Sequence, residues 1–219
     1  MVAPAISWLL LFAVRFAAPA MVEAVGPERC PYGCVEKDGA RYTLTRDDVV
    51  WLARAAQCEV GDFIPRPEAK AALWALVQNH QRQLAIRPAL TLAGLVTGYS
   101  ACCSRRWATG GSRYHPRITP RADETRALRW RQIPRQTRAF VVDFLRWRYP
   151  NRWPGYVYVF TAGYESHADS RWIGPMYVRP DDGRTRNAYY RDPSTAGWTA
   201  ATVRIVAGGS GLARLAAVE

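Results

Sequence analysis

The sequence has almost no lysine. Of its 30 basic residues only Lys37 and Lys70 are lysines, so nearly all of the positive charge sits on arginine. It has no P-loop and no Gly-x-Gly-x-x-Gly after a predicted strand, which removes the usual cradles for nucleotides and redox cofactors; no cofactor is expected. There is no Cys-x-x-Cys and no His-x-x-x-His pair, so a zinc site has no obvious ligand set and no metal is expected. No recognised nucleic-acid motif and no internal repeat is present. No apolar run reaches membrane-spanning length. Val2–Val14 is uncharged but short for a span, and has the length of a signal-peptide core. No Lys or Arg precedes it.

What is present bounds the rest. The 219 residues are 49% hydrophobic, with nine Trp and eleven Tyr, enough for one domain with a real core and too apolar for a disordered chain. The net charge of +12 suits a polyanionic partner, whether nucleic acid, an anionic wall polymer or lipid headgroups. Residues 1–24 form an apolar N-terminal segment that reads as an export signal or a membrane anchor. Ala18-Pro19-Ala20 and Val22-Glu23-Ala24 are its candidate cleavage sites, and membrane contact would run through it. The competing reading is a buried N-terminal helix. Residues 25–206 read as the domain proper, and 207–219 as a small apolar tail that could fray as a helix.

The five cysteines are Cys30, Cys34, Cys58, Cys102 and Cys103. Cys30 and Cys34 could close a small disulfide loop in an oxidising compartment or form half of a metal site. Cys58 beside Glu59 is either a nucleophile or a packed helical thiol; no base is placed for the first role, which favours the second.

The stretch Thr45–Asp62 predicts the organising helix. Thr45 is an N-cap, and Asp48 three residues on makes a capping box with Asp in place of the usual Glu or Gln. Val49, Leu52, Ala53 and Ala56 recur at helical spacing, and Gly61 stops the helix. Glu59 falls almost in line with Leu52, between Ala55 and Ala56, on the apolar face. Desolvation there would raise its pKa and keep it protonated near neutrality, as a general acid for glycoside cleavage requires. The plainer alternative is a solvated helix-end glutamate paired with an arginine.

Further on, Pro67 opens a helix to Leu84 with Ala69, Leu73, Leu76, Val77, His80 and Leu84 on one face. His80 there reads as a satisfied core residue, and Asn79 as reaching a neighbouring loop. Thr91 caps a helix over Leu92–Thr97. Gly98–Gly111 is a loop, Ala122–Gln132 and Pro134–Arg148 are helical, and Tyr156–Thr161 and Trp198–Val206 are strands. Residues 162–195 read as loops. Helices dominate and strands come late, so the class is α+β, mainly helical, with a small antiparallel β element toward the C-terminus.

At Leu52–Gly61 and Ala72–Asn79 the chain resembles the spore-cortex-lytic family of cell-wall hydrolases. There an Ala-Arg segment leads to a glutamate and a glycine, and a second helix ends in Val-x-Asn-Arg. Thr91–Ser100 followed by Trp107 is similar to a Tyr-Ser loop in phage relatives. Ile133-Pro134 before a helix and Trp153-Pro154-Gly155 before a strand match them in style. His80 stands where the family has arginine, and Ala101–Ser104 replaces a Gln-Pro pair. The resemblance implies a lysozyme-like fold with one essential glutamate, Glu59. It implies cleavage of peptidoglycan glycan strands between N-acetylmuramic acid and N-acetylglucosamine. The substrate contacts would be Tyr99, Ser100, Asn79 and Trp107. A rival, Glu165-Ser166, resembles the opening of another transglycosylase motif, but it follows a strand where that motif needs a helix end.

Such an enzyme would be exported to the cell envelope or carried in a phage virion. Two other classes compete with it. One is a non-catalytic structural or membrane-associated virion or envelope protein. The other is a nucleic-acid binder using the arginines from Arg105 to Arg138, with Trp107, Tyr114 and Trp130 interleaved. A solvated basic face explains that cluster more simply, and nucleic acid is not the expected partner.

Overall fold

The computed structural model describes residues 29–60, 67–99, 124–161, 169–178 and 187–217. The N-terminal segment, Ser100, Trp107 and Glu165 lie outside them. The architecture is α+β: helices packed with two three-stranded antiparallel sheets. Among the described residues no helix is long and apolar enough to cross a membrane.

The chain enters on a hairpin, β1 (Cys34–Lys37) and β2 (Ala40–Thr43). Its turn residues, Asp38 and Gly39, have φ of 51° and 80°, the left-handed pair that a two-residue hairpin turn requires. The last strand, β6 (Val203–Val206), pairs with the free edge of β1, Cys34 opposite Val206 and Lys37 opposite Val203. The hairpin lies within residues 25–44, which read from the sequence as a loop or small hairpin, so the β structure extends beyond the C-terminal element expected for the fold. Strand alternation sorts this sheet. Val35, Val203 and Ile205 are buried, while Glu36 on the wet face accepts from Arg41 Nε (2.9 Å) and Arg204 Nη2 (3.1 Å).

Three helices follow: α1 (Arg46–Val60), α2 (Pro67–Leu84) and α3 (Leu92–Tyr99). The first two have the expected bounds, and α3 runs two residues past Thr97. The expected face of α1 is buried at Val49, Leu52, Ala53 and Ala56. For α2 one apolar face was expected, but it is buried on nearly every side, including Glu68, Gln78, Asn79, His80, Gln81 and Gln83. It is the central helix. Both sheets and the neighbouring helices pack around it, so its polar residues find partners inside the protein instead of in water.

Within the expected helix over 122–132, the described residues 124–127 are helical, and after a break Trp130–Gln132 forms a separate 3-10 turn. Next, α4 (Arg135–Leu145) is shorter than predicted, and Trp147 with φ of 60° turns the chain away. Leu44, Leu52, Leu73, Trp74, Phe140, Phe144 and Leu145 form the main core. Trp74 lies edge-on to Phe144, ring centroids 5.1 Å apart, and donates from Nε1 to the Tyr149 carbonyl (3.1 Å).

The second sheet has the order β3-β5-β4, with β3 at Tyr156–Thr161, β4 at Ile173–Val178 and β5 at Asn187–Arg191. β4 and β5 lie where loops were expected. In β4, Gly174-Pro175 follow Ile173 at a register break before Met176, which hides the strand's alternation. Tyr189 and Val178 pack on Ala71 and Ala75 of α2. The expected strand at Trp198 begins only at Val203.

The C-terminal segment is not a frayed tail. It forms α5 (Ser210–Ala217), whose Leu212 and Leu215 join the main core. Leu212 N–H donates to the Pro31 carbonyl (2.7 Å), and Gly209 N–H to that of Cys30 (3.0 Å). Gly211 packs so close to Pro31 that a side chain there would collide with its carbonyl.

Candidate functional site

The candidate site is built on α1 and α3, and Asp48 joins them. The capping box forms as its residues predict: Asp48 N–H donates to Thr45 Oγ1 (3.2 Å), and Thr45 N–H to Asp48 Oδ2 (2.8 Å). The same carboxylate, fully buried, accepts from the Tyr42 hydroxyl (2.9 Å) and, through Oδ1, from Ala93 N–H (2.8 Å) in the first turn of α3. Tyr42 Oη accepts in turn from Leu92 N–H (3.1 Å). Burial, followed by the neighbouring Asp48 charge, raises the Tyr42 pKa, while the Leu92 bond works against them; the hydroxyl stays protonated and donating.

Asp48 thus fixes the starts of α1 and α3 together. Further along, Ala55 and Cys58 of α1 pack against Val96 of α3. The two helices therefore run in the same sense. Position 59, in the last turn of α1, and position 99, the last residue of α3, leave from the same end of the pair. Leu52, Ala55 and Ala56, which share the helix face of position 59, are buried. No family model, no curated protein and no solved structure matches the chain.

The other expected residues are distributed differently. Asn79 is buried, but its amide oxygen accepts from Arg82 on the same helix, at 3.3 Å from Nε and 3.1 Å from Nη2. Among the described residues it makes no bond across to a neighbouring loop. Ser100 and Trp107 fall outside the described residues. Cys58 is disulfide-bonded and buried, which removes it as a nucleophile. Cys30 and Cys34 are bonded to each other and so are not half of a metal site. Among the described residues no three His, Cys, Asp or Glu side chains group as a metal site.

His80 is the core histidine its position suggests. It has no exposed surface, its Nε2 donates to the Leu90 carbonyl (2.9 Å), and its ring meets Tyr42 edge-on, centroids 4.4 Å apart. Burial lowers its pKa, and the Leu90 bond and Asp48 oppose this only in part.

Two motif residues hold the frame. Arg54 reaches from α1 to the Leu128 carbonyl with Nε (2.9 Å) and Nη2 (2.7 Å). Gln78, fully buried, uses its whole amide. Nε2 donates to the carbonyls of Trp153 and Tyr156 (3.0 Å each), and Oε1 accepts from Asn151 Nδ2 (3.0 Å) and Gly155 N–H (2.8 Å). That clamp sets the turn into β3.

Two polar groupings gave no sequence signal. At the first turn of α2, buried Glu68 accepts from Asn187 Nδ2 of β5. At the far end of α2, Asp192 accepts from Arg82 Nη1 (3.2 Å), Tyr158 Oη (3.0 Å) and Ser194. Burial raises the Asp192 carboxyl, but the Ser194, Tyr158 and Arg82 interactions outweigh it and leave the pKa below the ordinary value. Tyr158 is pushed up to about 12, mainly by burial, and its ring stacks on Trp172 at 3.9 Å. The members of each grouping are separated by up to 119 residues in sequence, so spacing could not announce them.

Proposed function

We propose that the chain cleaves peptidoglycan glycan strands at the bond between N-acetylmuramic acid and N-acetylglucosamine, with Glu59 as the single acid and base on a lysozyme-like helical frame. The observation that carries this is the same-sense pairing of α1 and α3, whose common end holds positions 59 and 99. The buried Leu52, Ala55 and Ala56 face supports it, because a carboxylate continuing such a face is desolvated and protonated near neutrality.

Protonated Glu59 donates to the glycosidic oxygen as the bond to the muramic C1 breaks. The resulting carboxylate then accepts the proton of the sugar's C6 hydroxyl as that oxygen closes on C1, giving a 1,6-anhydro product. One carboxylate serves both steps. With water in place of the C6 hydroxyl the same residue gives hydrolysis. Tyr99 and Ser100 would contact the sugar, with Trp107 a further contact. Asn79 enters this reading only through the helix it steadies, because Arg82 occupies its oxygen. Disulfides at Cys30–Cys34 and at Cys58 suit work outside the cytoplasm, in the envelope or a virion, and the +12 charge suits an anionic wall.

The test is digestion of purified peptidoglycan by wild type and by Glu59→Gln, with the muropeptides read by mass spectrometry. Anhydromuropeptides from wild type alone are expected, with a loss in Glu59→Gln of at least ~100-fold, the scale of a missing general acid. Reducing-end products would make the enzyme a hydrolase on the same residue. An active Glu59→Gln would move the acid to Glu165. Inactivity of wild type on every peptidoglycan chemotype would leave the non-catalytic envelope reading.

A further inference from the structure

The chain from Arg148 to Tyr156 interleaves cations with rings: Arg148-Tyr149, then Arg152-Trp153, then Tyr156. One stripe of α2 carries this segment. Trp74 Nε1 donates to the Tyr149 carbonyl (3.1 Å), and Gln78 Nε2 to the carbonyls of Trp153 and Tyr156 (3.0 Å each). Asn151 turns inward and donates to Gln78 Oε1 (3.0 Å), while the next residue, Arg152, is exposed. Two further cations join from other elements. Lys70, one turn before Trp74, lies over the Tyr149 ring with Nζ 4.7 Å from its centroid. Arg191, at the end of β5, lies over the Tyr156 ring at 4.6 Å. Positions 70 and 78 are eight residues apart, so the row runs for roughly 12 Å along α2.

Lys70, Arg152 and Arg191 bring three positive charges to this row without a counter-charge. Among the described residues none of them has a carboxylate partner. The acids of the adjoining elements are engaged elsewhere: Glu68 with Asn187, Asp143 with Arg148 (3.0 Å) and Asp192 with Arg82 (3.2 Å). Arg191 Nε is buried with no hydrogen-bond partner, so the Tyr156 ring is what the protein offers that guanidinium. Trp153 differs from the two tyrosines. It is half-buried against the core, and among the described residues no cation or second ring lies over it. Phosphates would meet the cations, and a base would stack on the indole between them; basic residues with interleaved aromatics take a nucleic-acid strand in this way. A duplex keeps its bases inside its own stack and has none to offer Trp153. A phosphate polymer with carbon spacers has no ring at all.

We propose that this surface binds single-stranded nucleic acid without sequence preference, through Lys70, Arg152 and Arg191 to phosphates and through Trp153 to a base. Its cations lie outside the arginine cluster between positions 105 and 138. The surface needs neither Glu59 nor catalysis, so it stands or falls apart from the glycan-cleaving reading.

The experiment is fluorescence anisotropy of a labelled oligothymidylate titrated with the full chain over a series of salt concentrations. Arg152→Gln/Arg191→Gln is compared with a charge-matched control, Arg131→Gln/Arg214→Gln, two exposed arginines on the α5 side. Circular dichroism checks that both melt like wild type; Arg152→Gln alone, at an exposed site, replaces the first pair if the Arg191 change disturbs the fold. The expected result is a loss of roughly tenfold or more in the first pair, or about threefold in Arg152→Gln alone, against less than about twofold in the control. The slope of log affinity against log salt should become shallower by roughly 0.7 for each phosphate contact removed. Wild type should bind an abasic oligomer of the same phosphate number about fivefold or more weakly, the scale of one lost stacking contact. Equal losses in the two pairs would mean that net charge alone binds, and would overturn the site. Equal affinity for the abasic oligomer, or for a duplex of the same length, would overturn the single-stranded occupant, and no binding to the oligothymidylate would overturn the proposal.

Discussion

Asp48 has no exposed surface and accepts from four donors: the amide and hydroxyl of Thr45, the Tyr42 hydroxyl and the Ala93 amide. Replacement by alanine removes the cap and leaves Tyr42 and Ala93 donors buried without a partner. Urea unfolding of Asp48→Ala is expected to show a loss of roughly 3–5 kcal/mol with an unchanged slope. His80 makes a second, pH-dependent prediction. Its folded pKa lies below the ordinary value of about 6.5, so the unfolded chain binds the proton more tightly. Its contribution is fully present above that pH and is lost as pH falls through the window toward the folded pKa. Asp192, also lowered, acts only further down, in the carboxylate range. The melting temperature should fall from neutrality to mildly acid pH, and His80→Gln, which retains a donor for the Leu90 carbonyl, should flatten that fall. An unchanged profile would assign it to other groups.

At the scale of elements, two contacts hold the periphery to the centre. The turn into β3 needs Gly155, whose φ is +78° and whose added Cβ would overlap the Thr195 carbonyl oxygen. Gly155→Ala is expected to cost at least ~2 kcal/mol, a combination of left-handed strain and backbone collision, measured by thermal or urea unfolding. The C-terminal helix is a working part of the core. Leu212→Ala should cost roughly 2–5 kcal/mol, the range for emptying a fully buried leucine site. A frayed helix would tolerate the same change within about 0.5 kcal/mol.

For the whole molecule, the disulfides close the ends of the fold. The Cys30–Cys34 bridge holds the loop on which α5 rests, since Leu212 and Gly209 donate to carbonyls of that loop. Cys58 takes a second bridge at the α1–α3 contact. Two bridges account for four of the five cysteines, so denatured, unreduced protein should titrate close to one thiol per chain with a chromogenic disulfide. Reduction should lower the melting temperature, by an amount corresponding to ~2–4 kcal/mol per bridge lost. Three or more titrating thiols would contradict this pairing.

Much of the helical frame was legible in the chain. Thr45, Asp48 and Pro67 announced helix starts through local capping chemistry, and the apolar spacing of α1 and the inward place of His80 followed from helical periodicity. The α+β class and the strand at Tyr156 were readable for the same reason: these are properties of neighbours in sequence. The sequence by itself also carried the arginine surplus and the position of Glu59 one turn past a buried face. Only the tertiary structure decided the rest. The pairing of Cys34 with Val206, the docking of α5 under the Cys30 loop and the burial of α2 on nearly all sides depend on segments far apart in the chain. So do the Glu68–Asn187 and Arg82–Asp192 contacts and the same-sense pairing of α1 with α3. Hydrogen bonds and packing join such segments without any periodic trace in either one. Local pattern therefore specified the elements, and long-range satisfaction of buried polar groups specified how they meet.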